Sequence, residues 1–152
     1  MKRFLSFAVS ISMMMVCLVS GSFAQTSEYP DITGTWVGSY VAGFAKTNPV
    51  FPDGTVETNV ELEIYRQQDN LLWVINRWRR TTETQWVEEY AVGSFLAGED
   101  DELIINEIGG NKNPIAHPGF FFGELDDGRL YVTYAGDPHG VAFNAVLERQ
   151  RN

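Results

Sequence analysis

The chain predicts an all-β domain, an eight-stranded antiparallel up-and-down β-barrel. Three observations carry this expectation. Past residue 30 the apolar residues recur mainly at two-residue intervals, with no sustained 3.6-residue period. Eight such runs are separated mostly by short turns rich in Gly, Asp and Asn. No helix of useful length stands between them, so the sheet must cover its own apolar face by closing. A two-sheet sandwich is the competing arrangement. Sequential hairpins favour the meander.

The strands follow in order. Thr33–Val41 is the first, and Ala42–Thr55, with two Pro and two Gly, is a loop. Glu57–Gln67 alternates, placing Val60, Leu62 and Ile64 on one face. Gln68-Asp69-Asn70 turns the chain into Leu71–Arg80. Trp86–Leu96 ends at Gly98-Glu99-Asp100-Asp101, and Glu102–Ile108 closes at Gly109-Gly110. His117–Leu125 meets Arg129–Ala135 through Asp126-Asp127-Gly128, an Asp-Gly hairpin and the strongest local signal present. Gly136-Asp137-Pro138-His139-Gly140 leads into the last strand, Val141–Glu148.

Residues 1–24 read as a signal peptide. Lys2 and Arg3 precede an apolar run from Phe4 to Val19, and Ser22-Phe23-Ala24 offers a cleavage site before Gln25. The run is short for a membrane span, which needs about 20 residues. Val16 is too large for a lipidation site at Cys17, so the single Cys is expected to leave with the leader. One domain, 25–152, remains, stabilised by its core without a disulfide. The expected location is outside the cytoplasm, periplasmic or extracellular.

The sequence carries 11 basic and 20 acidic residues, and without Lys2 and Arg3 the basic count falls to 9. Such a surface disfavours nucleic acid and anionic lipid, which both call for basic patches. Solubility is the simpler consequence of the charge. No Gly-rich phosphate loop, Gly-x-Ser-x-Gly or His-Glu-x-x-His motif is present, and no cofactor is expected.

Gly34-Thr35-Trp36 on the first strand of an eight-stranded meander resembles the lipocalin and avidin group. The resemblance implies that the Trp packs across the barrel base while the Gly gives it room. Asp31 through Trp36 is similar to the bacterial avidin form. Thr82-Glu83-Thr84-Gln85-Trp86, with Tyr90 four residues on, is similar to the avidin strand whose Ser/Thr and Trp line the pocket. Trp73 and Trp78 fall where avidins carry pocket Trp residues, at a different spacing. The departures concern the ligand. Avidins place Asn and then Ser after the first Trp to hold biotin, whereas Gly38, Ser39 and Tyr40 follow here. Their late Trp and acidic ligand residue have no counterpart after Gly136. By its pocket residues this is not a biotin binder.

The two-residue period nominates the interior. With Trp36 inward, Gly34, Gly38 and Tyr40 share its side. Arg66 either continues the Val60-Leu62-Ile64 face as a cation at the cavity mouth or lies in solvent beyond the strand. Leu72, Val74, Asn76 and Trp78 form the uncharged, inward face of the third strand, and a buried Asn76 needs a hydrogen-bond partner.

The fourth strand is undecided. If Trp86, Glu88 and Tyr90 face inward, Glu88 is a buried carboxylate with a raised pKa, fit for acid–base work. The other choice puts Glu88 and Glu89 near the rim. Phe120-Phe121-Phe122 must expose at least one ring, either to a second copy of the chain or beneath the Ala42–Thr55 loop. His117 and His139 lie at one barrel end with Asp137, too few ligands to imply a metal.

The function expected is a secreted barrel binding a small, mostly apolar or aromatic molecule against Trp36, Tyr40, Asn76, Trp78, Trp86 and Tyr90. The alternatives are a cofactor-independent cyclase or isomerase using Glu88 or Tyr40, and an exported interaction or inhibitor protein acting through its loops.

Overall fold

The computed structural model describes residues 28–45, 54–109, 118–136 and 140–151. Eight strands form a closed barrel: β1 (Gly34–Phe44), β2 (Thr55–Gln68), β3 (Leu71–Arg80), β4 (Val87–Phe95), β5 (Glu102–Gly109), β6 (Gly119–Asp126), β7 (Arg129–Gly136) and β8 (Val141–Arg149). Every neighbour is antiparallel, and β1 pairs with β8 to close the ring. The sandwich is thereby excluded. The expected leader at 1–24, Cys17, His117 and His139 lie outside the described residues, as does most of the Ala42–Thr55 loop.

Local chemistry sets the hairpins. Asp126 pairs with Arg129 across Asp127-Gly128, both of which have positive φ (46° and 72°), the backbone that Asp-Gly turns favour because it matches strand twist. Asp69, at φ 52°, turns β2 into β3. Inward positions then alternate as the pleat requires: Leu62 and Ile64 on β2, Leu72 and Val74 on β3, Leu103 and Ile105 on β5, Leu130 and Val132 on β7 are all buried.

The register of β2 shifts between Ile64 and Arg66, opposite Trp73. This bulge reverses the alternation. Arg66 accordingly leaves the Val60-Leu62-Ile64 face and lies outside, its guanidinium 4.2 Å from the centroid of the Trp73 ring. It is not a cation at the cavity mouth. Arg77 is also external, bridging Glu63 at 2.8 Å and Glu88 at 2.9 Å.

One barrel end is apolar and sealed. Trp36, 2% exposed, lies among the buried side chains there, and its indole N–H donates to the Ile32 carbonyl at 2.9 Å. The segment before β1 crosses this end as a strap. Gln67 accepts from the Ile32 amide at 3.0 Å and donates to the Pro30 carbonyl at 2.9 Å, while Tyr29 stacks on Phe95. Asp31 accepts from both the amide and the hydroxyl of Thr33, fixing the turn into β1 and holding its own carboxyl below the usual range.

Candidate functional site

The other half of the interior is polar. Its side chains come from six strands: Tyr40 on β1, Thr58 on β2, Asn76 and Trp78 on β3, Glu89 on β4, Glu107 on β5 and Tyr134 on β7. Phe143 of β8 completes the ring. Asn76 sits opposite Glu89 across the β3–β4 ladder, and Ala91 sits opposite Glu107 across β4–β5, so the amide and both carboxylates meet inside.

Glu107 is the centre of this cluster. It accepts from Asn76 Nδ2 at 2.7 Å and from the Tyr134 hydroxyl at 3.0 Å, and it is 2% exposed. Glu89, equally buried, accepts from the Trp78 indole N–H at 2.9 Å and hydrogen-bonds to Glu107. Burial and then the neighbouring Glu89 charge push the Glu107 carboxyl up to about 8. Burial raises Glu89 as well, while its hydrogen bonds to Trp78, Glu107 and Asn76 pull it back.

The opposing effects divide the pair into an acid and a base. The Glu107–Glu89 bond raises Glu107 and lowers Glu89, so Glu107 holds the proton and donates it toward Glu89. Burial also raises the phenols of Tyr40 and Tyr134, which stay neutral donors. Asn76 Oδ1 and Glu89 Oε1 are buried acceptors without a conventional donor among the described residues. The Glu107 proton answers for the second. Nothing described answers for the first.

Three rings stack along one wall. Phe143 lies between Tyr40, at 3.5 Å and 4°, and Tyr134, at 4.8 Å and 15° between centroids and planes. Tyr134 fits because Gly136, two residues further along β7, and Gly119, opposite Gly136 on β6, have no side chain. A Cβ at Gly119 or at Gly136 would overlap the Tyr134 hydroxyl. Gly119→Val should therefore displace Tyr134 from Glu107 and lower stability by about 1–3 kcal/mol, the cost of overpacking a core. A thermal midpoint and tyrosine near-ultraviolet signal equal to those of the native protein would contradict it.

The structure redistributes the residues expected from sequence. Tyr40, Asn76 and Trp78 come together at the polar end, whereas Trp36 belongs to the sealed base. Glu88 is corrected: it points outward to Arg77 and accepts from the Tyr90 hydroxyl, and Glu89 takes the inward place. Tyr90 is 37% exposed on the outer face, because β4 buries the set Glu89, Ala91 and Phe95. Trp86 precedes β4 and lies under the Arg79 guanidinium rather than on the interior wall. Of the Phe triplet, Phe121 is buried while Phe120 and Phe122 are both about half exposed.

Thr58, Glu107, Tyr134 and Phe143 escaped the sequence reading. The two-residue period from Leu103 and Ile105 does reach Glu107, but Ile104 and Ile108 make the opposite face equally apolar. A depression of about 1090 Å³ also lies on the outer surface, lined by residues such as Ser39, Phe122, Tyr131 and Asn144. None of the residues lining it belongs to the cluster around Glu89 and Glu107. Among the described residues no three His, Cys, Asp or Glu side chains gather as a metal site.

The class that fold and site define is a closed antiparallel β-barrel with a hydrogen-bonded carboxylate pair inside one end. No protein-family model, curated protein or solved structure matches the chain.

Proposed function

We propose that the protein is an exported barrel that binds a small, mostly apolar molecule at the polar end of its interior, where Asn76, Glu89, Glu107 and Tyr134 orient the guest's polar group. One observation carries this reading: Asn76 is 3% exposed, and its buried Oδ1 has no donor among the described residues. A barrel selected for stability alone would fill this end with apolar side chains, since an orphaned buried acceptor costs about 1–3 kcal/mol. Aromatic walls with few polar groups suit a small guest. The Gly34-Thr35-Trp36 likeness to the lipocalin and avidin group supports the same use of the barrel, and the leader-like residues 1–24 support export.

Native mass spectrometry of the protein purified from its own host tests the reading. A retained small molecule is expected, and its rebinding should quench the fluorescence of Trp78, whose indole N–H is tied to Glu89. Recovery of the bare chain, together with no binding tighter than millimolar from biotin, fatty acids, flavins or small aromatic metabolites, would overturn it.

A second reading rests on the proton held by Glu107 beside ionised Glu89. An acid and a base in contact can shift a proton between two sites of one bound molecule, the step of a cofactor-independent isomerase or cyclase. Solvent deuterium should then enter a carbon position of the guest. Glu89→Gln should stop that exchange while binding persists.

A further inference from the structure

We propose that the outer face of β5, β6, β7, β8 and β1 is an interface on which a second copy of the chain docks. The exterior of the barrel is divided in two. On β2, β3 and β4 it carries Glu57, Glu61, Glu63, Arg66, Arg77 and Glu88. From β5 round to β1, above the edge at the sealed end, no outward position is charged among the described residues. Phe120, Phe122, Tyr131, Val146 and Val41 stand there between 37% and 55% exposed. Cross-strand pairing makes them one patch: Phe122 lies between Ile104 and Thr133, and Tyr131 lies opposite Val146. A contiguous apolar patch of this kind on an acidic protein marks a contact surface.

Three features choose the occupant. The barrel is closed, so it offers no free strand edge to which an extended peptide could add. Charge is the second. A chain with 20 acidic and 11 basic residues meets its own copy with least repulsion where charge is lacking, and the uncharged half is this face. Area is the third. Five adjacent strands at about 4.8 Å and a height of about 20 Å span roughly 500 Å² per copy and about 1,000 Å² for two, the least a specific interface requires, before side-chain relief is counted.

The edge at the sealed end carries Glu102, Glu124 and Glu148 with Arg129. A two-fold axis lying in the interface and crossing the strands at Thr133 and Asn144 turns this edge toward the uncharged edge of the other copy. No carboxylate of one copy then faces a carboxylate of the other. Tyr131 stands over Ala135 of the other copy and Val146 over Ala142, large against small. Thr133 donates to Asn144 at 2.8 Å, so the polar pair on the axis enters the interface already hydrogen-bonded. The outer depression adjoins the acidic edge, and Phe120, which is not on its wall, is the ring brought over it.

Sedimentation equilibrium of the protein purified from its own host reads the assembly. Twice the mass of the chain is expected, dissociating in the micromolar range that so modest an area implies. Phe122→Asp sets a carboxylate from each copy beside the axis and should weaken association by about 100-fold or more. Tyr65→Asp, at a ring 51% exposed on the charged half, should leave association unchanged. If Phe122→Asp fails to fold, Val146→Asp makes the same test. Equal weakening by Tyr65→Asp and Phe122→Asp overturns this face as the interface. A single-chain mass up to about 1 mM overturns the dimer. That holds whether Phe122 is then bare to hydroxyl-radical labelling, shielded by the Ala42–Thr55 loop or covered by a different co-purified chain.

Discussion

Replacing Trp36 with alanine should lower the unfolding free energy by about 3–5 kcal/mol, the usual cost of emptying a large buried aromatic site. The residue is 2% exposed, so nearly all its surface is withdrawn from water on folding. It also closes a circuit. Its indole donates to the Ile32 carbonyl, Ile32 donates its amide to Gln67, and Gln67 holds Pro30, so one side chain anchors the strap across the barrel base. Arg149 reaches the same place, its guanidinium 5.8 Å from the Trp36 ring centroid. Alanine would leave both a cavity and an unpaired carbonyl in Ile32. Chemical denaturation should show the loss as a lower midpoint with little change in slope. A midpoint equal to the native value would mean that the base is held without Trp36.

The architecture was legible because it depends on signals that are local. The period-two alternation of β2 and β3 and the Asp127-Gly128 turn each act within a few residues, and together they fix strand limits and one hairpin register. The interior was harder wherever both faces of a strand look alike. On β4, Tyr90 and Val92 are as apolar as Ala91 and Phe95, so nothing local tells Glu88 from Glu89. The connection from Arg80 to Val87 is too long for its turn type to set the register, and it is the pairing of Asn76 with Glu89 that decides. For Arg66 the sequence allows either the cavity mouth or solvent, and the structure places it in solvent. A single inserted residue reverses the faces beyond Ile64, and a bulge leaves no dependable trace in composition. The carboxylate pair needs β3, β4 and β5 in register at once, which is tertiary information.

Glu107 should make the protein less stable as pH rises. Its carboxyl is held near 8 in the folded barrel against an ordinary value of 4.5, first by burial and then by the charge of Glu89. Between those two values the folded state binds a proton that the unfolded chain has already lost. The full contribution is thus present below about pH 4.5 and is lost progressively as pH climbs toward 8. The slope approaches about 1.4 kcal/mol per pH unit for one proton, so the total over the window is several kcal/mol. Asp31, held low by Thr33, acts in the opposite sense only in strong acid, where its protonation removes stability. Glu107→Gln should flatten the slope across the window. An amide keeps an acceptor for Asn76 or Tyr134 and gives Glu89 a permanent donor in place of the titrating proton. The variant should therefore surpass the native protein above about pH 8, and the two curves should converge or cross in mild acid. Denaturant unfolding at several pH values reads this directly. Parallel curves for variant and native protein would mean that Glu107 is ionised at neutral pH, and the assignment of Glu107 as acid and Glu89 as base would fall with it.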